Sequence, residues 1–578
     1  MSERYLARSA GVLFPGSVAN RNERRAGSQR PMPNRFTFWP HTRAAAASTR
    51  ARFVLTALAM LVRPSFVAFG MLAAIAAPAY AQPEAPPPDT APDEPAVPVP
   101  VPVPDLSELR AVIAAQEARL AALESSTRPS TTPLVEPVDA AMSAIDVDTG
   151  FRFGSYGRIL AGTDLRGGRP EPIAVVARGP RVVEKSYLEL DFAYGLRAKT
   201  GALLRTVVTL AFGDRLFHET GEFDAQPALR NFYAEATFDS ATRLWVGSRM
   251  YRGDDIYLFD YWPLDDQNTI GAGGSTRQGA VEVAAHAGVN RLSDAFQFQD
   301  KAVADPELGA TTVVQLDRQR MVGSASATYY VDAGSDLDAK VKLHAELQGL
   351  PSGTRLRDDA TPEALPRDWG TTIGAQLGVW GLAPAERGYR RHANLFARWS
   401  KGLAAFDELA PPFGFDTELR TYPRASEIVL GLGANWDDAW GHVLFGGYAR
   451  RFVDADPNVR DRDDGWEYAV DVRPMAHVHK GLFAGIDVAY QARFPRGLMP
   501  STQLAADPGV VSVAPMLAYS PMGTSAYDRP QLRLVYRVAK LSDGALALYA
   551  EDDPRRAHPT VHYLGAQAEW WFNSNSYR

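Results

Sequence analysis

Alternation of apolar and polar residues with a period of two dominates the chain from residue 150 onward. In residues 187–196, YLELDFAYGL, the apolar side chains take one face and the acidic side chains take the other. Residues 341–347 and 531–538 repeat this pattern. A β-strand that is apolar on one face only has this period. The sequence therefore predicts that the C-terminal three quarters of the chain are all-β.

The alternating segments are too numerous for an ordinary soluble domain. Turn clusters such as residues 333–336 separate them, and no helical period follows residue 127. A soluble sandwich of this length would be unusual as one domain, whereas a closed barrel in a membrane pairs every backbone group and leaves no edge. We therefore predict a transmembrane antiparallel β-barrel over residues 150–572, apolar outside and polar inside. Its 423 residues fit 18 strands at about 23 residues each, and 16 strands nearly as well.

The N-terminal region carries an export signal. Residues 65–77 are a short apolar stretch behind Arg63, and residues 79–81, AYA, form a small-x-small cleavage site. This is the layout of a secretory signal peptide, and the stretch is shorter than the ~20 residues that a membrane-spanning helix needs. We assign residues 1–81 to an N-terminal extension and signal peptide, and we infer that translation starts at Met60.

Two linkers and a helix lie between the signal peptide and the barrel. Residues 82–104 are Pro-rich, which predicts an extended linker. In residues 105–127 apolar side chains recur at alternating spacings of three and four, which predicts a coiled-coil helix of about three heptads. Such a short helix needs partner helices, and the alternative is one amphipathic helix on its own domain. Residues 128–149 form a second linker, and residues 573–578 form a tail.

Composition excludes several classes of protein. The chain has no cysteine, so it has neither disulfides nor thiolate metal sites. After residue 81 it holds 50 basic and 65 acidic residues, which disfavours nucleic acid as a partner. No phosphate-binding loop, nucleophile elbow or dinucleotide fingerprint is present. His477 and His479 lack further ligands, so we predict neither a metal, a cofactor nor an enzyme.

Residues 245–274, WVGSRMYRGDDIYLFDYWPLDDQNTIGAGG, resemble the maltoporin family where a strand enters its inward-folded constriction loop. Five further segments resemble the family in its order along the chain: residues 153–158, 186–190, 472–475, 529–533 and 565–571. The resemblance implies an eighteen-stranded homotrimeric barrel in the outer membrane of a Gram-negative bacterium. The helix at 105–127 is similar to the periplasmic extension of sucrose porins.

The resemblance implies a ladder of aromatic residues in the lumen, the greasy slide, on which a sugar lies with its apolar face. Three ladder residues lie on the polar face of their strands: Tyr156, Tyr187 and Trp571. Trp466 and Tyr468 compete for a later position, and Phe223 is a candidate for a residue that reaches into a neighbouring subunit. The alternative for each is an aromatic girdle at the membrane interface.

The resemblance also implies charged residues at the constriction, whose hydrogen bonds replace the water around a sugar. The residues assigned to these polar contacts are Arg158, Glu189, Arg230 and Asp260, with Trp262 in place of the family's constricting aromatic residue. Arg249 and Asp255 match the motif and are assigned to bracing the loop. Gly253 and Tyr257 stand where family members often have Arg and His, so the hydrogen-bonding set differs.

We therefore predict a passive outer-membrane channel for sugars, either maltose and maltodextrins or other oligosaccharides. The alternative is a general or anion-selective diffusion porin. The expected partners are sugars, further copies of the chain and outer-membrane lipid. The coiled coil would lie in the periplasm and reach toward peptidoglycan or a periplasmic binding protein.

Overall fold

The computed structural model describes residues 149–574, except 214–215, 222–224, 239–240, 293–296, 306–308, 333–336, 382–390, 408–409, 411, 417, 457–463 and 498–504. The predicted signal peptide, linker 82–104 and coiled-coil helix lie outside the described residues, as do Phe223 and residues 575–578.

The described part of the chain is built almost entirely of antiparallel strands. In chain order they are β1 (Gly150–Thr163), β2 (Tyr187–Arg197), β3 (Leu203–Gly213), β4 (Pro227–Thr237), β5 (Thr242–Arg252), β6 (Asp266–Gln278), β7 (Val281–Asn290), β8 (Phe298–Asp305), β9 (Gly309–Asp317), β10 (Arg320–Asp332), β11 (Leu337–Leu350), β12 (Gly353–Leu356), β13 (Pro362–Leu365), β14 (Asp368–Gly381), β15 (Arg391–Gly402), β16 (Ser426–Asp438), β17 (Gly441–Val453), β18 (Gly465–His479), β19 (Leu482–Pro495), β20 (Gly509–Tyr519), β21 (Gln531–Leu541) and β22 (Thr560–Phe572).

Eighteen of these strands form one closed barrel. Each pairs with the next along the chain, β7 pairs with β10, β11 pairs with β14, and β1 pairs with β22 to close the sheet. Strands β8 and β9 form a separate hairpin, as do β12 and β13. The predicted transmembrane antiparallel β-barrel is confirmed, and the pairing decides for eighteen strands over sixteen.

Helical structure in the described residues is confined to single turns. One α-helix, α1 (Asp543–Leu546), begins at Ser542, whose side chain accepts a hydrogen bond from the Ala545 backbone N–H. Four 3₁₀ turns accompany it: His218–Thr220, Tyr257–Phe259, Leu403–Ala405 and Pro554–Ala557. Across the described ranges, no helix has the length and apolar character needed to cross a membrane.

The two faces of the barrel wall differ as the alternation predicts. On β11, Leu343 and Leu347 are 60% and 65% exposed on the outer face, whereas His344 and Glu346 are buried on the inner face. This distribution, with leucine outside and charged residues inside, is the reverse of that in a soluble protein, because hydrocarbon surrounds the barrel.

The two ends of the barrel carry connections of different length. At the end that holds Gly150 and Phe572, the connections 279–280, 439–440 and 480–481 have two residues each. At the other end the connections are long, and residues 164–186 are one example. Bacterial barrels of this kind have short periplasmic turns and long extracellular loops. The long loops therefore face the cell exterior.

Two of the long loops fold into the barrel. An eighteen-stranded barrel is too wide for its own side chains to fill. Apolar residues of the loops, such as Val176, Ile256 and Leu264, pack against inner-wall residues such as Phe396 and Val429 in one buried cluster. The core of this protein thus lies inside the barrel, where loops meet the wall and narrow the lumen.

Candidate functional site

The constriction loop, residues 253–265, joins β5 to β6 and packs against the inner wall of the barrel. The loop lies on inner-wall glycines that leave room for its side chains. A Cβ added at Gly446 would lie 3.2 Å from Ile256 and Leu258 and 3.3 Å from Phe259. Three further glycines face the loop in the same way: Gly374, Gly431 and Gly433. We refer to these four residues as the glycine floor.

Across the lumen from the glycine floor, the pairing of β1 with β2 and β22 brings the predicted sugar-contact residues together. Tyr156 on β1 pairs with Glu189 on β2 and with Trp571 on β22. Arg158 pairs with Tyr187 in the same way. The ring centroids of Tyr156 and Tyr187 are 6.0 Å apart, within the range of a favourable aromatic pair.

Two arginines and two carboxylates surround the Tyr156 hydroxyl group. Arg158 and Arg181 each donate a hydrogen bond to this hydroxyl at 3.2 Å. Asp260 of the constriction loop lies 3.7 Å from Arg158 and 3.5 Å from Arg181, and Glu184 contacts both arginines. Partial burial opposes ionisation of Asp260, but Arg181 and Arg158 outweigh it and lower the pKa of Asp260 to about 2.

Tyr187 takes part in a second polar group. Its hydroxyl donates to Glu189 at 2.5 Å, and Arg230 lies 2.8 Å from the same carboxylate. The guanidinium groups of Arg158 and Arg230 lie 5.4 Å and 5.6 Å from the centre of the Tyr187 ring. Arg230 is the extra residue of a bulge where β4 pairs with β3, so the alternation of faces is broken at this position.

A second aromatic group lies nearer the periplasmic end. The ring of Tyr257 packs edge-on against Tyr527 and Trp571, with centroids 5.4 Å and 6.4 Å away. Arg529 lies 4.2 Å from the centre of the Trp571 ring and donates to the Tyr257 hydroxyl at 2.5 Å. Tyr257 in turn donates to Glu569 at 3.1 Å.

Six residues of these groups were not assigned to the site from the sequence: Arg181, Glu184, Tyr257, Tyr527, Arg529 and Glu569. Tyr527 belongs to the long turn 520–530 at the periplasmic end, directly before the recognised segment 529–533, and that position was the available signal. Arg181 lies in loop 164–186, where nothing in the local pattern indicates that the loop folds inward.

Trp466 and Tyr468 do not lie in the lumen. They are 42% and 37% exposed on the outer face of β18, and their rings stack at 6.0 Å. The inner face of the strand carries Glu467 and Asp471, which are buried. The expectation that one of the two aromatics belongs to the ladder is therefore wrong, because both side chains leave the face of β18 that points toward lipid.

Three predicted residues of the constriction-loop motif lie in different surroundings. Asp255 is buried in the loop, where burial and the nearby Asp260 raise its pKa to about 7. Trp262 is buried under Arg252, whose guanidinium lies 3.7 Å from its ring centre, so little of Trp262 faces the lumen. Arg249 pairs with Glu235 at 2.8 Å and thus braces the wall of β4 and β5.

The two histidines near the periplasmic end form no metal centre among the residues described. The ring nitrogens of His477 lie 3.1 Å and 3.0 Å from the carbonyl oxygens of Ala439 and Thr524. Within the described ranges, no group of three or more potential ligands is placed to hold a metal ion.

Comparisons with known proteins agree with this architecture. The model of the LamB porin family matches residues 151–572. No curated protein sequence matches the chain. Among solved structures, OpdK of Pseudomonas aeruginosa with vanillate is 11% identical to this chain, with a TM-score of 0.37. The alignment covers 73% of this chain and 98% of OpdK. The outer-membrane channel DcaP of Acinetobacter baumannii is 10% identical, with a TM-score of 0.36. That alignment covers 73% of this chain and 98% of DcaP.

The family match spans the whole barrel and both strands that close it. A closed barrel with an apolar outer face and a polar lumen gives solutes a path across a membrane. The chain therefore belongs to the LamB porin family and forms a diffusion channel in the outer membrane.

Proposed function

We propose that this channel passes sugars, with maltose, maltodextrins and other oligosaccharides as the substrate class. The observation that carries the proposal is the partly exposed Tyr187 ring, which packs on the buried Tyr156 ring beside Arg158, Glu189 and Asp260. Trp571 and Tyr257 are partly exposed and extend the aromatic surface toward the periplasm, and the buried Tyr527 packs against Tyr257.

This combination suits the two surfaces of a pyranose ring. Its apolar face lies on an aromatic ring, and its edge hydroxyl groups need strong donors and acceptors, which ionised side chains supply. Several rings in series let the sugar advance in short steps. Each contact stays weak enough for release, which flux through a channel requires.

The balance of charge favours a neutral solute over an anion. The three arginines at the ladder, Arg158, Arg181 and Arg230, face three carboxylates: Glu184, Glu189 and Asp260. A site for anions would instead present cations in excess. We therefore prefer the sugar channel to the anion-selective porin.

Planar-bilayer recording of the purified protein tests the proposal. Malto-oligosaccharides and sucrose, added at millimolar levels, should block the ion current in a saturable way. A current that stays unblocked by all of them would contradict sugar selectivity. The reversal potential in a salt gradient identifies an anion-selective pore in the same experiment. We further propose a homotrimer, which the mass of the detergent-solubilised particle tests.

A further inference from the structure

The two ends of the constriction loop are held by a matched pair of lysines. Asp254 and Asp265 are buried at the two ends of the loop. The Lys340 ammonium lies 2.5 Å from Asp254, and the Lys342 ammonium is paired with Asp265. Both lysines belong to β11, and because they are two residues apart their side chains leave the same face of the strand.

Contacts around each pair fix the same two ends. The Gln376 side chain on β14 donates to Asp254 at 2.6 Å. A Cβ added at Gly253 would lie 2.3 Å from the Asp265 carboxylate, so the loop backbone passes tightly over its own far end. Arg398 on β15 donates to the Pro263 carbonyl at 2.9 Å. Both ends of the loop are thus fastened to the wall formed by β11, β14 and β15.

The middle of the loop is held in a different way. On one side, Ile256 and Leu258 make apolar contact with the glycine floor. On the other side, Asp260 forms ion pairs with Arg158 and Arg181. The apolar contact is not directional, so on the side of the glycine floor the position of the loop depends on how its two ends are held. A buried carboxylate that loses its partner is costly, so the two ion pairs disfavour any position in which the loop leaves the wall.

We propose that Lys340 and Lys342 are positioning residues that clamp the constriction loop to the β11–β15 wall and so set the bore of the channel. The inference does not depend on the choice of solute, because the bore governs the ion current as well as the passage of sugar.

Replacement of both lysines tests the clamp. In Lys340→Met, Lys342→Met the open-channel ion current should lose its steadiness and show added noise, since the loop can leave the wall. Where the wild type binds sugar, its dissociation constant should rise roughly 2- to 30-fold. Lys540→Met is the matched control, because Lys540 is exposed near the extracellular end of β21. Equal current noise in the double variant, the control and the wild type would overturn the clamp.

A disulfide can take over the role of the clamp. A Cβ at Gly433 would lie 3.8 Å from the Ile256 Cβ, which suits a disulfide, and the chain has no cysteine of its own. We expect Ile256→Cys, Gly433→Cys in the double-methionine background to regain the steady wild-type current when oxidised and to lose it again when reduced. Failure of the oxidised form to regain it would count against the proposal.

An exchange of the two charges provides a second test of the clamp if the methionine variants do not assemble. Lys342→Asp combined with Asp265→Lys preserves the pair and should keep the wild-type current, whereas Lys342→Asp alone should add noise. Identical currents from these two variants would contradict the clamp. Because all three tests read the ion current, they succeed or fail independently of sugar block.

Discussion

Tyr187 offers its ring to Tyr156 and its hydroxyl group to Glu189, so it combines both kinds of sugar contact in one side chain. We expect Tyr187→Ala to raise the dissociation constant for a blocking sugar roughly 2- to 10-fold, from the loss of an aromatic contact. The ion conductance should stay unchanged, since the wall remains closed. Sugar titration in planar bilayers measures both quantities. Tyr187→Phe is the control that keeps the ring, and unchanged block in Tyr187→Ala would remove this residue from the ladder.

Asp255 should give the channel a pH-dependent charge. Burial and Asp260 raise its pKa to about 7, whereas Asp260 has a pKa of about 2 and stays ionised. Asp255 therefore gains a negative charge as the pH rises through neutrality. We expect the permeability ratio of cations to anions to increase from roughly pH 6 to 8 and to stay level over this range in Asp255→Asn. Reversal potentials measure the ratio.

A second variant identifies the cause of this titration. Because Asp260 is one of the groups that raise the pKa of Asp255, Asp260→Asn should move the change in permeability to lower pH. A change that stays at the same pH would show that Asp260 does not influence Asp255.

At the scale of elements, the constriction loop depends on the absence of side chains beneath it. Gly446 and Gly447 are neighbours on β17 that face opposite sides of the wall. A Cβ at Gly446 would lie 3.2 Å from Ile256. A Cβ at Gly447 would make ordinary contacts outside the lumen, 3.4 Å from the Phe445 side chain and 3.7 Å from the Ala469 carbonyl oxygen. We expect Gly446→Val to displace the loop and change the single-channel conductance, and Gly447→Val to leave it as it is. Equal conductance in the two variants would contradict docking on the glycine floor.

Sequence patterns predict single strands better than they predict the partners of loops. Tyr156, Tyr187 and Trp571 were assigned correctly to the inner face because charged residues mark that face on their strands. On β18, Glu467 and Asp471 mark the inner face in the same way, and Trp466 and Tyr468 lie on the opposite parity, so alternation alone argues against placing them in the lumen. The error came from carrying over the family's ladder without applying the test of strand parity.

At the scale of the whole molecule, stability depends on the apolar band that surrounds the barrel. Leu343 lies in the middle of β11 on the outer face, between the inward-facing Lys342 and His344. We expect Leu343→Arg to lower the free energy of unfolding by about 2–4 kcal/mol, the cost of a cation near the bilayer midplane. Urea titration in lipid vesicles measures this, with Leu343→Ala as the control for the lost side chain. A stability equal to that of Leu343→Ala would place Leu343 outside the hydrocarbon.

The sequence by itself determined the class of the fold, because a period of two that runs through four hundred residues suits a closed sheet between lipid and water. It also indicated which residues of neighbouring strands lie together on the inner wall, since their motifs are local. The tertiary structure decided the number of strands and the contacts of each site residue. Arg181, Tyr257, Tyr527 and Lys340 reach the lumen from loops and strands far apart in the chain. Such meetings follow from the packing of inserted loops against the wall, which no short stretch of sequence encodes.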